Sequence, residues 1–574
     1  MAYRWVYSGL ATGGESSVQD IQQELNVPKE IARILAIRGI QTYDEAKSFF
    51  RPALNSTHDP FLMKDMEKAA SRLYKAICNR EKVLIYGDYD VDGTTATSII
   101  YTYLKSFGVE VDYYIPHRFK EGYGINPDGI KYAIEINADL IVSVDCGITA
   151  IEEAVYAKEQ GVDLIICDHH TVGSEIPDAE AVLDPKRPDC SYPFDGLSGA
   201  GVGYKLIQAT TKKLGLSDSL PHEYLDLVAI SIASDIVPII DENRILMRKG
   251  LQLINSEPRI GIKALLDKIK IPLGSVTTSS IVFSIGPRIN AAGRMGDATA
   301  AVELMISEDR SAAANRAKQL ESINLKRRST DSKTMEQAQE MLENHFNLDE
   351  TSAVVLHHPN WHLGVIGIVA SRIVDAHYRP AIMLSTVEGK IKGSARSIKG
   401  FNIYDVLKEC DDLLEQFGGH EFAAGLTMEQ ENLAEFRKRI NKIANHRLPD
   451  NDFKPELEIA SKLHLDKVNL KFWKLLSQFE PFGPGNMRPI FVSEDVCIEG
   501  VPSIVGSGHL KMKVKQDDSI VFDAIGFNMH EFEPKLRNCD QDKIDVAYVL
   551  EENNWNGKRT IQMRLKDIHI EQRN

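Results

Sequence analysis

Short runs of apolar residues alternate with amphipathic segments between residues 82 and 220. The apolar runs have the length of buried strands and occupy residues 83–86, 109–116, 140–145, 164–168 and 181–184. The segments between them show the three- and four-residue spacing of helices at 94–106, 126–136 and 149–160. Such strand–helix alternation predicts an α/β domain with a largely parallel, doubly wound sheet.

Three of the predicted strands end in residues of the types that commonly bind metals. These are Asp88, Asp90 and Asp92 after the first strand, Asp145 after the third, and Asp168, His169 and His170 after the fourth. Ligands bind beyond the carboxyl ends of strands in such sheets, and crowded carboxylates need a cation between them. A solvated acidic turn explains one such run, but three favour a divalent-metal site. Carboxylate plus imidazole suits Mn²⁺ and, less readily, Mg²⁺.

Two further polar residues have less certain roles from the sequence. Asp235 interrupts the apolar segment 223–238, so it is either a metal ligand or half of a buried ion pair. It cannot cap the helix N-terminus because it comes after the helix. Arg118 follows the second strand, where it can meet a phosphate, although a surface arginine is the alternative.

A glycine-rich segment at 284–294, SIGPRINAAGR, is interpreted as a loop. Glycine permits close backbone approach, and arginine forks match phosphate oxygens. No metal is assigned to three histidines whose spacing fits neither a helix face nor a hairpin pairing: His357, His358 and His362.

The rest of the chain predicts four regions around this α/β domain, which spans 76–300. Residues 1–75 contain helical segments and are expected to cap the core. No glycine or proline lies between Gly296 and Pro359, so 301–350 should be a long connecting helix that joins two lobes. The apolar positions hold no strict heptad, which disfavours a coiled coil. Residues 351–450 form the second lobe.

The last region, 451–574, changes to a strand pattern. Apolar residues alternate with Lys511, Lys513 and Lys515, and Asn556-Gly557 is a hairpin-turn signal. We expect a small antiparallel barrel. The lysine row either follows a nucleic-acid backbone or is a solvated strand face.

Composition sets further limits. The net charge of −15 is mild evidence against a nucleic-acid partner, but it allows a local basic groove. The seven cysteines form no CxxC pair and are expected to be reduced. Because no run is long enough to span a membrane and the start has no secretory signal, we expect a cytoplasmic protein.

The chain resembles the DHH phosphoesterases through its ordered Asp90-Val91-Asp92, Asp145 and Asp168-His169-His170 motifs. Within that group it is most similar to the RecJ family of single-strand-specific exonucleases. This closer resemblance rests on GDYDVDG at 87–93, SDIVP at 234–238, PRINAAGR at 287–294, WHLGVIGIVASR at 361–372, GSARS at 393–397, FGGHEFAAG at 417–425 and FEPFGPGN at 479–486. It implies a DHH domain, a long helix, a smaller α/β DHH-associated domain and a C-terminal OB-type β-barrel.

The resemblance also implies roles for individual residues. Two ions, Mn²⁺ or Mg²⁺, would be bridged by Asp145, with Asp90 on the first ion and Asp92, His169 and Asp235 on the second. Asp88 would be a direct or outer ligand. His170 and Arg294 would stabilise the reacting phosphate. The implied substrate contacts are Arg118, Arg288, Asn290, Ser394, Arg396 and His420, with the choice between Arg288 and Arg294 at the scissile phosphate left open.

The implied activity is metal-dependent 5′ to 3′ degradation of single-stranded DNA to mononucleotides, in DNA repair and recombination. Single-strand-binding protein and a RecQ-type helicase are candidate partners of an expected monomer. The alternatives are a nanoRNase or cyclic-dinucleotide phosphodiesterase, which would not explain the C-terminal barrel, and a non-catalytic replication scaffold, which would not need every ligand position filled. An inorganic pyrophosphatase leaves the C-terminal third unexplained.

Overall fold

The structure is a computed structural model that describes residues 3–10, 14–347, 351–448, 454–537, 543–555 and 558–570. It divides into two compact units. The first contains residues 58–237 and 241–453, and the second contains 2–57, 238–240 and 454–574. None of the described helices has the length and apolar character needed to cross a membrane. Six cysteines in the described residues are free, and Cys539 lies outside them.

The first unit begins with a parallel five-stranded sheet. Its strands in spatial order are Val111–Tyr114, Val83–Tyr86, Leu140–Val144, Asp163–Cys167 and Ala181–Leu183. The chain starts in the second of these strands, adds the first on one side and the rest on the other. The carboxyl ends of Val83–Tyr86 and Leu140–Val144 therefore flank the point where the strand order reverses, which is where α/β sheets bind ligands.

Helices cover this sheet and extend the domain. The predicted doubly wound arrangement is confirmed, with helix ends within three residues of those expected. The helices are Met66–Asn79, Val91–Ser106, Pro127–Glu135, Ile151–Glu159, Gly199–Lys213, Leu225–Ser234, Asp241–Ser256, Ile260–Ile269, Thr278–Ser280, Gly286–Met295 and Thr299–Met305, with 3-10 turns at Pro60–Leu62 and Leu220–Tyr224 and a π-helical turn at Ile281–Ile285.

The expectation of a loop at 284–294 is wrong, because these residues lie in the π-helical turn and in helix Gly286–Met295. The glycines serve packing. A Cβ at Gly286 would lie 2.8 Å from Ser234 Oγ, and one at Gly293 would lie 2.3 Å from the carbonyl oxygen of Tyr89. Glycine therefore lets this helix approach the carboxylate loop closely without ending it.

A single helix, Arg310–His345, joins the two lobes of this unit. At 36 residues it is about 54 Å long, as the absence of glycine and proline predicts. The second lobe has a mixed five-stranded sheet flanked by helices Leu363–His377, Ile403–Lys408 and Leu433–Arg447 and by 3-10 turns Asp411–Leu413 and Gln430–Asn432. The strand order is Gln416–His420, Ala423–Met428, Lys390–Arg396, Ala381–Val387 and Val354–His357.

The second unit contains a seven-stranded sheet in the order Ser461–Lys462, Phe491–Ile498, Ile544–Trp555, Lys558–Ile570, Phe522–Gly526, His509–Lys515 and Ser503–Val505. Pairing of Phe491–Ile498 with His509–Lys515 closes it into a barrel. Leu510, Met512 and Val514 are buried while Lys511 and Lys513 are exposed, which confirms the predicted alternation. The expected turn at Asn556-Gly557 lies outside the described residues.

The N-terminal segment belongs to this second unit, so the expectation that it caps the catalytic core is wrong for residues 2–57. Strand Arg4–Tyr7 pairs with Glu456–Ile459. Buried residues of Gly14–Leu25 and Lys29–Ile37 share one apolar core with the barrel, because both helices are amphipathic and need a partner for their apolar face. The remaining elements of this unit are Tyr43–Phe50, Leu54–Ser56, Leu465–Lys467, Leu470–Ser477, His530–Phe532 and Glu533–Arg537.

Candidate metal centre and phosphate pocket

The first group of carboxylates lies in the tight turn between strand Val83–Tyr86 and helix Val91–Ser106. Asp90 caps that helix, since its Oδ1 accepts a hydrogen bond from the Gly93 amide at 3.1 Å. A Cβ at Gly93 would lie 2.5 Å from the Asp88 backbone, so only glycine fits. Asp88 in this turn and Asp92 in the first turn of the helix are both buried, and each is at most 3% exposed.

The next two strands bring Asp145 and the Asp168-His169-His170 run to the same edge. His169 Nε2 lies 3.1 Å from Asp145 Oδ1, 3.6 Å from Asp92 Oδ2 and 3.5 Å from Asp235 Oδ2. Asp235 ends helix Leu225–Ser234, as expected. Side chains from four distant parts of the sequence therefore meet around one imidazole nitrogen.

Within each of three groups, the potential ligand atoms lie within 4.8 Å of one another. Two of the groups share no residue, with Asp88, Asp90 and Asp145 in one and Asp92, His169 and Asp235 in the other, and the third is Asp145, His169 and His170. Asp145 belongs to two of the groups, and the division of ligands between two ions stays a prediction. Among the described residues, buried Asp88 Oδ1, Asp145 Oδ1 and both ring nitrogens of His169 have no hydrogen-bond partner. Such donors fit divalent cations, because buried polar atoms without partners are otherwise costly.

The electrostatics of the site favour a cation as well. Burial, together with the charge of Asp92, raises the pKa of Asp235 to about 9. Burial and neighbouring carboxylates also raise the pKa of Asp88, Asp90 and Asp145. Burial lowers the pKa of His169, which keeps its imidazole neutral and able to bind a metal. In the metal-free state the site therefore retains protons that a bound cation would displace.

Asp168 has a different role from the ligands around it. Its carboxylate accepts hydrogen bonds from the amides of Ile148 at 2.8 Å and His169 at 2.7 Å, and it pairs with His170 Nδ1 at 2.7 Å. Burial opposes these interactions, yet they lower the pKa of Asp168 to about 2 and raise that of His170 to about 9. Asp168 therefore orients His170 and keeps it cationic near neutral pH.

These pKa values predict the pH dependence of the metal-free protein. Between pH 7 and 9 the folded state holds protons on Asp235 and His170 that the unfolded chain has released, so the free energy of unfolding should fall as pH rises. Each retained proton contributes about 1.4 kcal/mol per pH unit. Urea denaturation in EDTA across this range measures the slope, and Asp235→Asn should reduce it. An unchanged slope in that variant would contradict the assignment.

Sequence reasoning missed the groups that hold Asp92. Its carboxylate accepts hydrogen bonds from the amides of Gly199 at 2.6 Å and Ala200 at 2.8 Å and from the Ser231 hydroxyl at 2.7 Å. The two amides open helix Gly199–Lys213, whose positive end stabilises a carboxylate. A Cβ at Gly199 would lie 2.6 Å from Asp145 Cβ, so this helix start contacts two ligands at once.

Tyr123 is a second residue that sequence reasoning missed. Its hydroxyl donates to the carbonyl oxygen of Asp145 at 3.1 Å and lies 3.0 Å from His170 Nδ1. It therefore links the backbone of one candidate ligand to the cationic histidine. The available signal in the sequence was its position, between strand Val111–Tyr114 and helix Pro127–Glu135.

A cluster of three arginines lies beside the carboxylates. Burial, with the charges of Arg118 and Arg396, lowers the pKa of Arg294 to about 10. Arg294 Nη1 donates to the carbonyl oxygen of Gly364 at 3.5 Å, and Arg396 Nη1 donates to Ser394 Oγ at 2.9 Å. Arg396 of this cluster lies in the second lobe, at the end of strand Lys390–Arg396. The concentrated positive charge of the three arginines fits a phosphate.

The remaining predicted substrate contacts lie in other settings. Arg288 pairs with Glu321 at 2.5 Å, whereas Arg294 belongs to the arginine cluster. Asn290 Oδ1 accepts a hydrogen bond from the Val91 amide at 3.1 Å and supports the carboxylate turn. His420 is exposed at the end of strand Gln416–His420. Their substrate-binding roles stay predictions.

Three protein-family models match the chain in order. The DHH family N-terminal domain matches residues 82–232, the DHHA1 domain matches 350–446, and the RecJ OB domain matches 459–567. The single-stranded-DNA-specific exonuclease RecJ of Bacillus subtilis is 38% identical and covers 97% of this chain and 70% of its own length. RecJ of Escherichia coli is 31% identical, and the match covers 96% of this chain and 97% of that protein. The chain belongs to the RecJ family.

Solved RecJ structures agree with this assignment. RecJ from Thermus thermophilus in complex with Mn²⁺ superimposes with a TM-score of 0.82 at 28% identity, covering 99% of this chain and 79% of that one. A second solved structure, an exonuclease RecJ bound to manganese, superimposes with a TM-score of 0.60 at 32% identity. The match covers 68% of this chain and 98% of that one. The predicted fold class is confirmed: a DHH domain, a long helix, a DHH-associated domain and an OB-type barrel.

Proposed function

We propose that this RecJ-family protein is a metal-dependent exonuclease that degrades single-stranded DNA from its 5′ end to mononucleotides. The observation that carries the proposal is the placement of two sets of metal-ligand atoms beside a cluster of three arginines within one compact unit. Phosphodiester hydrolysis needs both: a centre that activates water and cationic groups that hold the phosphate.

The two ligand sets would hold two ions, Mn²⁺ or Mg²⁺, with Asp145 as the bridge. Bound there, such ions supply Lewis-acid polarisation of a phosphate oxygen and lower the pKa of water. RecJ from Thermus thermophilus has been solved in complex with Mn²⁺ and in complex with Mg²⁺, which supports this choice. Asp92 is fixed by the Gly199 and Ala200 amides, so its carboxylate needs no reorganisation to bind.

The chain's own cations would stabilise the phosphate as charge develops on it. His170 is protonated at neutral pH because Asp168 holds its Nδ1, and it can donate a hydrogen bond to a phosphate or leaving-group oxygen. Arg294 is buried beside Asp90 and the other arginines, where a guanidinium interacts strongly with a phosphoryl group. Both groups act from fixed positions.

The 5′ to 3′ direction would come from recognition of the terminal phosphate by Ser394 and Arg396. Gly367 makes room at this pocket, since a Cβ there would lie 2.9 Å from Ser394 Oγ and 3.0 Å from Arg396 Nη2. The barrel of the second unit would also bind single-stranded DNA, with exposed Lys511 and Lys513 contacting its backbone. Single-strand-binding protein and a RecQ-type helicase remain proposed partners of a monomer. A DNA substrate also agrees with the expected cytoplasmic location.

Labelled oligonucleotides test this function directly. With Mn²⁺, a 5′-labelled single strand should release labelled mononucleotide first, and a 3′-labelled strand should shorten progressively. A duplex without single-stranded ends should be resistant. Mononucleotide appearing first from the 3′ label would contradict the direction, and faster hydrolysis of dinucleotides than of long strands would favour a nanoRNase.

The pocket makes a specific prediction for Arg396. Arg396→Ala should lower kcat/KM for a 5′-phosphorylated strand by about 10- to 100-fold, because a charge-assisted hydrogen bond contributes about 1.5–3 kcal/mol. The variant should lose most of its preference over a 5′-hydroxyl strand, and Arg396→Lys should recover only part, since lysine lacks the fork. Lys390→Ala is the control on the same strand, where Lys390 pairs with Glu415 at 2.6 Å. A preserved 5′-phosphate preference in Arg396→Ala would exclude this pocket.

A further inference from the structure

Tyr89 lies between Asp88 and Asp90 in the carboxylate turn, and its ring contacts the arginine cluster. The guanidinium carbon of Arg118 lies over this ring, 5.0 Å from the ring centroid. A guanidinium within about 6 Å of a ring centroid is attracted by the negative face of the ring. The turn that supplies candidate metal ligands therefore also holds one cation of the cluster.

The backbone of Tyr89 is fixed by the helix that packs on the turn. A Cβ at Gly293 would lie 2.3 Å from the carbonyl oxygen of Tyr89 and 3.1 Å from its Cβ, so helix Gly286–Met295 contacts this residue directly. Two residues further on, the Val91 amide donates to Asn290 Oδ1 on the same helix at 3.1 Å. The ring therefore projects from a backbone position that has little freedom to move.

The ring holds Arg118 in a way that uses none of its N–H groups. By contrast, the guanidinium of Arg288 donates to Glu321 and to the carbonyl oxygen of Ser284. In the part of the chain that the structure describes, the Arg118 guanidinium forms neither a hydrogen bond nor an ion pair. All five of its N–H donors therefore stay available in the guanidinium plane, in the fork that matches a phosphate.

The attraction of the ring opposes repulsion within the cluster. Burial and then the charge of Arg118 lower the pKa of Arg294 to about 10, and the same two causes lower the pKa of Arg396. The three like charges repel one another until an anion binds. The face of the Tyr89 ring carries partial negative charge without a net charge. It can therefore keep Arg118 in place without neutralising it, as a carboxylate would.

We propose that Tyr89 is a positioning residue for Arg118: its ring holds the guanidinium in the arginine cluster with the N–H fork open to a phosphate of the DNA. This inference rests on the proposed function. It assigns the role to the ring face rather than to the phenol hydroxyl, and Tyr89 acts only through Arg118. A side chain already held in its bound position loses less conformational entropy on binding, so the strand binds more tightly.

Kinetics on a 5′-phosphorylated single strand with Mn²⁺ test the role of the ring. Tyr89→Leu should raise KM by about 2- to 30-fold, the range for loss of one cation–ring interaction, with a smaller change in kcat. Tyr89→Phe retains the ring face and should keep a near wild-type KM. The rise in Tm on adding Mn²⁺ should be the same in both variants as in the wild type. A lost rise in Tyr89→Leu would place the defect at the metal ligands and overturn the positioning role.

The control is Tyr101→Leu, which removes a ring of the same kind from helix Val91–Ser106. The Tyr101 ring contacts Lys105, whose Nζ lies 5.9 Å from its centroid, and Lys105 is not part of the arginine cluster. Loss of this cation–ring contact should leave KM unchanged. A rise in KM equal to that of Tyr89→Leu would show that the effect is not specific to the contact with Arg118.

A double-mutant cycle decides whether Tyr89 acts through Arg118. In the Arg118→Ala protein, adding Tyr89→Leu should change KM by less than about 2-fold, because the ring then holds no guanidinium. If the wild type degrades single strands while Tyr89→Leu raises KM equally in both backgrounds, or in neither, the positioning role is wrong and the proposed function stands. If the wild type degrades no single strand, the proposed function fails and the positioning role with it.

Discussion

Replacing Asp145 with asparagine should lower kcat on single-stranded DNA by about 10³-fold, because Lewis-acid stabilisation by correctly placed ions is worth several kcal/mol. The same change should leave the metal-free protein at least as stable as the wild type. Burial and the charges of Asp92 and Asp90 raise the pKa of Asp145, so its ionised form is disfavoured in the fold. A neutral amide removes that repulsion.

Two measurements separate a ligand from a structural residue here. Mn²⁺ should raise the Tm of the wild type, since it binds the folded state, and this rise should be largely lost in Asp145→Asn. Asp178→Asn is the matched control, because Asp178 forms an exposed pair with Lys158 at 2.6 Å. Near-normal nuclease rates in Asp145→Asn, or an undiminished response to Mn²⁺, would remove Asp145 from the centre.

Much of the metal centre could be predicted from the sequence because a parallel sheet collects the ends of its strands. Asp90, Asp145 and His169 each follow an apolar run, and the topology alone brings such positions to one edge. The grouping into two ligand sets needed the resemblance to a known family as well. Asp235 lies after a helix, and no strand pattern indicates which edge that helix end approaches.

The missed residues have a common physical reason. Gly199 and Ala200 act through backbone amides, which leave no side-chain signature, and Ser231 lies within an apolar helix. The segment 284–294 was expected to be a loop whose glycines let the backbone approach a phosphate closely. In the structure Gly286 and Gly293 permit close helix packing instead. Composition cannot distinguish these two uses of glycine.

The placement of the N-terminal segment shows that the sequence predicts a helix more readily than the partner against which the helix packs. The amphipathic pattern of Lys29–Ile37 correctly predicts a helix with one apolar face, but it contains no information about its partner. Its buried residues share a core with the barrel more than 400 positions later in the chain. The pairing of Arg288 with Glu321 could not be predicted from the sequence for the same reason, since the two residues are 33 positions apart and lie on different helices.

Gly199→Ala should be nearly as damaging as loss of a ligand, although it adds one methyl group. That methyl would lie 2.6 Å from Asp145 Cβ and 2.7 Å from its Oδ1, and the Gly199 amide holds Asp92 Oδ2 at 2.6 Å. Both ligands must move, and a displacement of about 1 Å at a catalytic centre reduces rates by about 10²-fold. We expect kcat to fall on the order of 10²- to 10³-fold, since both ligand sets are disturbed.

Gly203→Ala provides the control, because it makes the same substitution in the same helix. A Cβ at Gly203 would lie 3.6 Å from Ile100 Cδ1, which is an ordinary contact. Alanine favours a helix interior over glycine by about 1 kcal/mol, so Gly203→Ala should be fully active and equally or more stable. Steady-state kinetics and Mn²⁺-dependent Tm shifts on the two variants decide the matter. Equal activity in both would show that Asp92 and Asp145 do not depend on the start of helix Gly199–Lys213 for their positions.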